Sequence, residues 1–245
     1  VEDFPVLSGG DLGHEFSLTV LEVQALIDKT RFAISTEETR YYLNGVYLHA
    51  AERDGVKVLR CVATDGHRLA SMEVSMPKGA EGMPGVIVPR KAVGELRKLV
   101  DETNTDITIG LSEAKIRFSF NDTVLTSKLI DGTFPDYQRV IPEGNEKQLD
   151  VSTKAFAAAV DRVSAISSEK SRAVKLNLAS GSLILSASSP EDGSATEELE
   201  VTYQGDSMEI GFNSGYLLDI IRQIESDSAR LMLADAASPT IVSEE

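Results

Sequence analysis

SKLIDGTFPDYQRVIP, residues 127–142, is the stretch that decides how the chain is organised. An apolar strand pattern with Val124, Leu125, Leu129 and Ile130 runs into it, and a second strand-and-helix pattern begins after it at Leu149. It therefore reads as a joint between two copies of one unit. Asp131-Gly132 signals a turn, Phe134 is restrained by Pro135 behind it, and Pro142-Glu-Gly ends the segment, which predicts extended, partly rigid backbone. Phe134, Tyr137, Val140 and Ile141 make the joint too apolar for a solvated tether. Such side chains glue domains together, and they can also wall a pocket in the crevice between them.

Working outward, each side shows the same order of elements. The first copy opens with a helix at Thr19, where Glu22 three residues on completes a capping box. Its buried stripe is Val20, Val23, Leu26, Ile27 and Ile34. Strand-like runs follow at 41–49, 56–63 and 68–74, separated by Arg53-Asp54-Gly55 and Thr64-Asp65-Gly66 turns. A loop at 76–85 leads to a strand at 86–88 and a second helix opened by Pro89, with Val93, Leu96, Leu99 and Val100 inward and Arg90, Lys91, Arg97 and Lys98 outward. Strands at 106–109, 115–120 and 123–129 complete the copy.

The second half repeats that order. A helix opens over 151–156 and lays Asp161-Arg162 beside Asp28-Lys29 of the first copy. Strands at 173–178, 182–186, 195–203 and 208–212 precede a helix from Asn213 with Tyr216, Leu217, Ile220, Ile221 and Ile224 inward, and Asp219-Ile220 matches Glu95-Leu96. Element type, order and spacing agree, so the chain is read as a duplication. The fold expected is α+β, two repeated domains at 16–143 and 144–245, each with helices on one side and antiparallel sheets on the other, after a linker at 1–15. The last strands, 229–233 and 240–242, stop short of a counterpart to 123–129.

Composition narrows the function. The chain has 245 residues, 42% of them hydrophobic, enough for packed cores. Its single cysteine, Cys61, excludes an internal disulfide framework and suits the cytosol. No run is long and apolar enough to span a bilayer, and the first residues are acidic and glycine-rich, unlike a secretory signal. A formal charge of −15 repels polyanions overall. Its distribution says more. The helical windows 19–34, 89–100, 152–167 and 213–224 hold nine basic and five acidic residues; their net of +4, against −15 for the whole, leaves −19 elsewhere. If the helices share a face, that face attracts phosphates while the sheet side repels them. Amphipathic helices also carry Lys and Arg on ordinary solvated faces, so charge alone does not decide.

Four motifs taken together resemble a known family: Arg40-Tyr-Tyr-Leu-Asn-Gly45, Ala63-Thr-Asp-Gly-His-Arg-Leu-Ala70, Val88-Pro-Arg-Lys91, and residues 126–137, TSKLIDGTFPDY. They resemble the bacterial sliding clamp, the beta subunit of DNA polymerase III, from about Phe16 to the end. The resemblance implies three copies of one domain per subunit, two subunits closing into a ring, helices lining the hole and sheets outside. This chain would then hold the second and third domains, with residues 1–13 resembling the connection from the first. The implied partners are duplex DNA and primed template, the replicative polymerase, the clamp loader and other proteins carrying clamp-binding motifs. No catalysis, cofactor or metal is implied.

Carried over residue by residue, the resemblance places DNA contacts at Arg90 and Lys91, with Lys29, Lys98, Lys154 and Arg162 beside them, and aromatic contacts to unpaired template at Tyr41 and Tyr42. A plain strand at 41–49 would bury one tyrosine and expose the other. Glu37 stands where the family can carry a polar DNA-contacting residue and would weaken that contact. The implied peptide pocket is Leu43, Thr64, Gly66, His67, Arg68, Leu69, Pro135, Arg139 and Val140, with Ala237 and Pro239, a groove that takes apolar anchors one at a time. Ser171, in place of a bulky apolar residue, and the end of the chain at Glu245 predict weakened peptide affinity. Two other readings stay open: a metal-dependent hydrolase using Asp65 and His67, which lacks a third ligand spaced nearby, and a protein-binding scaffold with no DNA contact. No phosphate-binding glycine loop, dinucleotide fingerprint or nucleophile elbow occurs in the sequence.

Overall fold

The computed structural model describes residues 12–167 and 172–244; most of the 1–15 linker and Ser171 lie outside the described residues. Two compact units part between Pro135 and Asp136. The first runs β1 (His14–Leu18), α1 (Val20–Asp28), short 3-10 turns at Arg31–Ala33 and Glu38–Leu43, β2 (Gly45–Arg53), β3 (Val56–Thr64), β4 (Leu69–Ser75), β5 (Val86–Pro89), α2 (Arg90–Val100), β6 (Ile107–Leu111), β7 (Lys115–Phe120) and β8 (Thr123–Lys128). Its strands form two antiparallel sheets, ordered β1-β6-β7-β8 and β4-β3-β2-β5.

After a 3-10 turn at Tyr137–Val140, the second unit runs β9 (Lys147–Ser152), α3 (Thr153–Ser164), β10 (Ala173–Ala179), β11 (Ser182–Ser189), β12 (Gly193–Glu200), β13 (Thr202–Gln204), β14 (Met208–Asn213), α4 (Ser214–Ile221), β15 (Ser228–Leu233) and β16 (Ile241–Glu244). Its sheets are β13-β9-β15-β16 and β12-β11-β10-β14. Replacing β1 by β9, β2 by β10, β3 by β11, β4 by β12, β5 by β14, β6 by β15 and β7 by β16 maps seven strands of one topology onto the other; β8 and β13 have no counterpart and lie at opposite edges of the corresponding sheets. The duplication read from the sequence is thus a duplication of sheet order.

Local chemistry explains why these residues make these elements. Thr19 accepts from the Glu22 amide at 3.2 Å and Glu22 returns a bond to the Thr19 amide at 2.8 Å, which satisfies two orphan donors at the start of α1. Ser152 and Asn213 cap α3 and α4 by accepting from the amides of Ala155 and Tyr216. In β7 the alternation is strict: Ile116, Phe118 and Phe120 are buried while Lys115, Arg117 and Ser119 are not. Each unit closes around its own core. Leu59, Ile107, Leu111 and Ile116 are fully buried in the first, and Leu149, Phe156, Leu176, Leu183, Leu185, Leu231 and Leu233 in the second. Each such side chain contributes about 2 kcal/mol by leaving water. In each unit the two helices pack side by side, α1 on α2 and α3 on α4.

Three expectations are corrected. The run 41–49 is not a single strand: residues 38–43 are 3-10 turns with a kink at Arg40, because pairing with β5 reaches only to Gly45, opposite Pro89. The period-2 argument for Tyr41 and Tyr42 therefore fails. The single strand at 195–203 is two, since β12 leaves its sheet at Val201 and β13 pairs with β9 in the other. The joint is not extended throughout, having the 3-10 turn at Tyr137–Val140. In addition, Pro89 is the residue preceding α2 rather than its first, and Leu99 is half-buried.

Cys61 sits in β3, 3% exposed, with its sulfur 3.6 Å from the Thr30 hydroxyl. Burial pushes the thiol up to about 12, so the reactive thiolate is withheld at neutral pH. Modification by a disulfide reagent is expected to be immediate in strong urea and, in buffer, no faster than unfolding. A prompt reaction of the folded protein would show that β3 opens locally.

Candidate functional site

The helix cations fall into two groups. α2 begins after Pro89, which offers no side-chain cap; the Arg90 amide donates to the Asn44 carbonyl at 2.9 Å, and the Arg90 and Lys91 side chains are exposed. Neither side chain has an ion-pair partner among the described residues. The helix dipole and two cations together make a start that favours anions. Lys154, in the first turn of α3, is 92% exposed, and its nearest carboxylate, Asp227, is 3.9 Å away. The remaining cations are more engaged. Lys98 lies 2.9 Å from Glu95, Arg162 donates to both oxygens of Glu197 at 2.5 and 2.8 Å, and Lys29 is the half-buried C-terminal cap of α1.

Two segments of the first unit meet around Arg40. The 3-10 stretch 38–43 leaves Tyr41 54% exposed and Tyr42 half-buried, their rings edge to face at 5.7 Å, and buries Leu43. Gly132 of the joint lies against both tyrosines; a Cβ there would meet Tyr42 at 3.2 Å and Tyr41 at 3.4 Å. Arg40 donates from two nitrogens to Glu37 at 2.8 and 2.6 Å, which holds the Glu37 carboxyl below its usual range. The carboxylate expected to weaken a DNA contact is thus paired with the neighbouring cation.

On its other side Arg40 approaches the loop between β3 and β4. A Cβ on Gly66, where φ is +89°, would lie 2.5 Å from an Arg40 nitrogen, so glycine answers both the backbone and the close approach. Asp65 organises this loop: one oxygen accepts from the amides of His67 and Arg68 at 2.9 and 3.0 Å, the other from Arg68 Nε at 3.1 Å. Thr64 donates to the Arg68 carbonyl at 2.7 Å and accepts from the Gly66 amide. Arg68 also donates to the Phe32 carbonyl at 2.8 Å and lies over its ring at 5.3 Å. Thr64, Gly66, His67 and Arg68 are therefore one hydrogen-bonded surface, with Leu69 half-buried at the start of β4. With both its oxygens engaged, Asp65 has little left for a metal, and among the described residues no group of three His, Cys, Asp or Glu side chains could hold one.

The joint is docked on the first unit. Ile130 donates to the Ile87 carbonyl at 3.0 Å, and the buried Phe134 stacks on Tyr47 at 4.8 Å, which stacks in turn on His49 at 4.5 Å. Pro135 is exposed at the end of that unit. In the second unit Tyr137 is buried, while Arg139, paired with Asp136 at 2.8 Å, and Val140 and Ile141 are exposed. Ala237 and Pro239 lie on the loop between β15 and β16, where Asp235 accepts from the amides of Ala237 and Ser238. Asn145 donates to the carbonyls of Met232 and Pro239 at 2.8 and 2.9 Å. Sequence reading missed Arg40 and Asn145 as positioning residues. Arg40 was visible as the first residue of a motif; Asn145 carried no signal, because its two acceptors are remote in sequence. A cleft of about 500 Å³ between β1 and residues 75–78 contains none of the expected residues, and in the second unit the equivalent strand edge is covered by β13.

Comparisons with known proteins identify both units. Residues 17–136 match the family described as DNA polymerase III beta subunit, central domain, and residues 138–245 match its C-terminal domain. The beta sliding clamp of Caulobacter vibrioides is 52% identical over 240 residues, 98% of this chain and 64% of that protein; that of Escherichia coli K12 is 40% identical over 238 residues, 96% and 63%. Among solved structures, the sliding clamp of Bartonella birtlesii bound to griselimycin superposes with a TM-score of 0.95 at 55% identity, covering 98% of this chain and 65% of that one. The Caulobacter crescentus clamp gives 0.94 at 50% identity, covering 100% and 65%. The chain thus spans about 64% of the length of the curated relatives it matches. It belongs to the DNA polymerase III beta-subunit family, the bacterial beta sliding clamps, of which it carries the central and C-terminal domains.

Proposed function

We propose that this chain is part of a DNA polymerase III processivity factor: a ring of two subunits that encircles duplex DNA without reading sequence and docks polymerase, clamp loader and other partners through short peptide motifs. It acts in the cytoplasm by topological linkage and catalyses nothing itself. No helix among the described residues is long and apolar enough to cross a membrane. The observation that carries the reading is the exposed start of α2, where Arg90 and Lys91, without ion-pair partners among the described residues, offer phosphate contacts with no base-reading geometry. Contacts of this kind exchange readily, which is what a sliding ring needs. Peptide docking is assigned to the loop 64–69 with Leu43, Pro135, Arg139, Val140, Ala237 and Pro239, and template contact to Tyr41 and Tyr42.

The test uses a subunit of the relatives' full length, loaded on circular and linear duplexes. Arg90→Ala with Lys91→Ala is expected to shorten retention on linear DNA and to flatten its dependence on log salt by about 0.9 for each cation removed, while leaving retention on closed circles in place. Polymerase tracts should shorten in parallel. Retention and tract length both unchanged would instead favour the protein-binding scaffold without DNA contact.

A further inference from the structure

A basic lining that must slide needs a limit on its grip, and the two units supply one in the same way. In each, an arginine in the last turn of a helix is tied to carboxylates. Arg97 of α2 donates from Nε to both oxygens of Asp28 on α1 at 2.8 Å, and from Nη1 to Asp101. Asp101 also accepts from Gln24 at 3.2 Å, and Asp28 lies 3.4 Å from Arg31. Two acids and two bases thus form a locally neutral cluster bridging the helices. In the second unit Arg162 of α3 grips Glu197 of β12 with two nitrogens. First-turn cations behave differently: Arg90 and Lys91 have no ion pair among the described residues, and Lys154 only a distant one.

Stability does not explain the arrangement well. The Arg162 and Asp101 side chains are 61% and 59% exposed, so the Arg162–Glu197 and Arg97–Asp101 pairs are open to solvent screening; only the Arg97–Asp28 pair, 19% and 32% exposed, is partly buried. Electrostatics toward a polyanion explains it better. A carboxylate beside each arginine cancels its attraction to a phosphate and holds the guanidinium fork that a phosphate would take.

Resting on the reading as a DNA clamp, we propose that Asp28, Asp101 and Glu197 limit the grip on DNA: they hold Arg97 and Arg162 off the phosphates, so that these two arginines add nothing to the hold of Arg90, Lys91 and Lys154 and the ring stays mobile. The test uses the full-length subunit closed on linear duplex with open ends. Asp28→Asn, Asp101→Asn and Glu197→Gln combined should lengthen residence before sliding off and steepen its salt dependence by about 0.9 for each arginine released, about 1.8 for two. Adding Arg97→Gln and Arg162→Gln to that variant should return the slope to the parent value. A slope that never steepens, or that stays steep after both arginines are removed, overturns the proposal. Glu197→Gln alone touches only the Arg162 pair and should give about half the steepening, so it decides the matter if the triple variant folds poorly; a parent slope there also overturns it. A parent ring retained no longer on circular DNA than on linear DNA would be a different failure, that of the clamp reading itself.

Discussion

Phe156→Ala is expected to lower the stability of the second unit by about 3–5 kcal/mol, the usual cost of emptying a fully buried aromatic site. Phe156 is 1% exposed on the inner face of α3, among Leu149, Leu176, Leu183, Leu185, Leu231 and Leu233. These come from both sheets of the unit, so the ring is where the two sheets and the helix meet. No neighbour can fill the void without giving up its own contacts. Phe156→Leu keeps most of the volume and should cost about 1–1.5 kcal/mol. Urea unfolding of the chain followed by far-ultraviolet circular dichroism checks this: the transition of the second unit should move strongly for alanine and slightly for leucine, while that of the first stays in place. Equal, small shifts for both would mean that α3 is not seated on this core. Unseating α3 would also displace Lys154 in its first turn and Arg162 in its last.

What the sequence made legible follows from how local its causes are. The Thr19–Glu22 capping box, the turns at Asp54-Gly55 and Asp65-Gly66, and the inward stripe of α2 depend on residues within a few positions of one another. Asp54 and Gly55 take positive φ, and Val93, Leu96 and Val100 are buried. The duplication was legible because it repeats such local signals in order. Residues 38–43 failed for the opposite reason. Tyr41, Tyr42 and Leu43 have strand-like side chains, yet β5 offers a pairing edge only up to Pro89, opposite Gly45, and the backbone before it takes 3-10 turns. The break between β12 and β13 depends on an edge offered by β9, some fifty positions earlier. The ion pairs that sort the helix cations were out of reach for the same reason: Asp28 and Arg97 are 69 positions apart, Arg162 and Glu197 are 35. Counting charges by helix gave the net sign of the helical windows but could not say which cations are engaged in ion pairs.

Asp65→Ala is expected to cost about 2–3 kcal/mol and to weaken docking of a clamp-binding peptide by tenfold or more. The carboxylate is the only side chain that bonds to the His67 and Arg68 amides and also to the Arg68 guanidinium among the described hydrogen bonds. Alanine would leave two amides to find water and would remove the Asp65 carboxylate from a guanidinium only 13% exposed, and breaking such a partly buried pair costs more than the pair was worth when intact. Arg68 would still hold the Phe32 carbonyl, so the first unit should stay folded while the 64–69 loop loses its shape. Each 1.4 kcal/mol lost from the docking-competent loop lowers affinity tenfold. Asp65→Asn separates the contributions: its amide oxygen can still accept from the two backbone donors, so the turn survives, but the charge facing Arg68 is gone. Fluorescence polarisation with a labelled polymerase-tail peptide, on a subunit of the relatives' full length, should rank affinity as parent, then asparagine, then alanine, with thermal unfolding in the same order. If alanine binds peptide as the parent does although its loop has loosened, the anchors must be read elsewhere, and the residues around Gly66 and His67 would be a rigid turn with no part in docking.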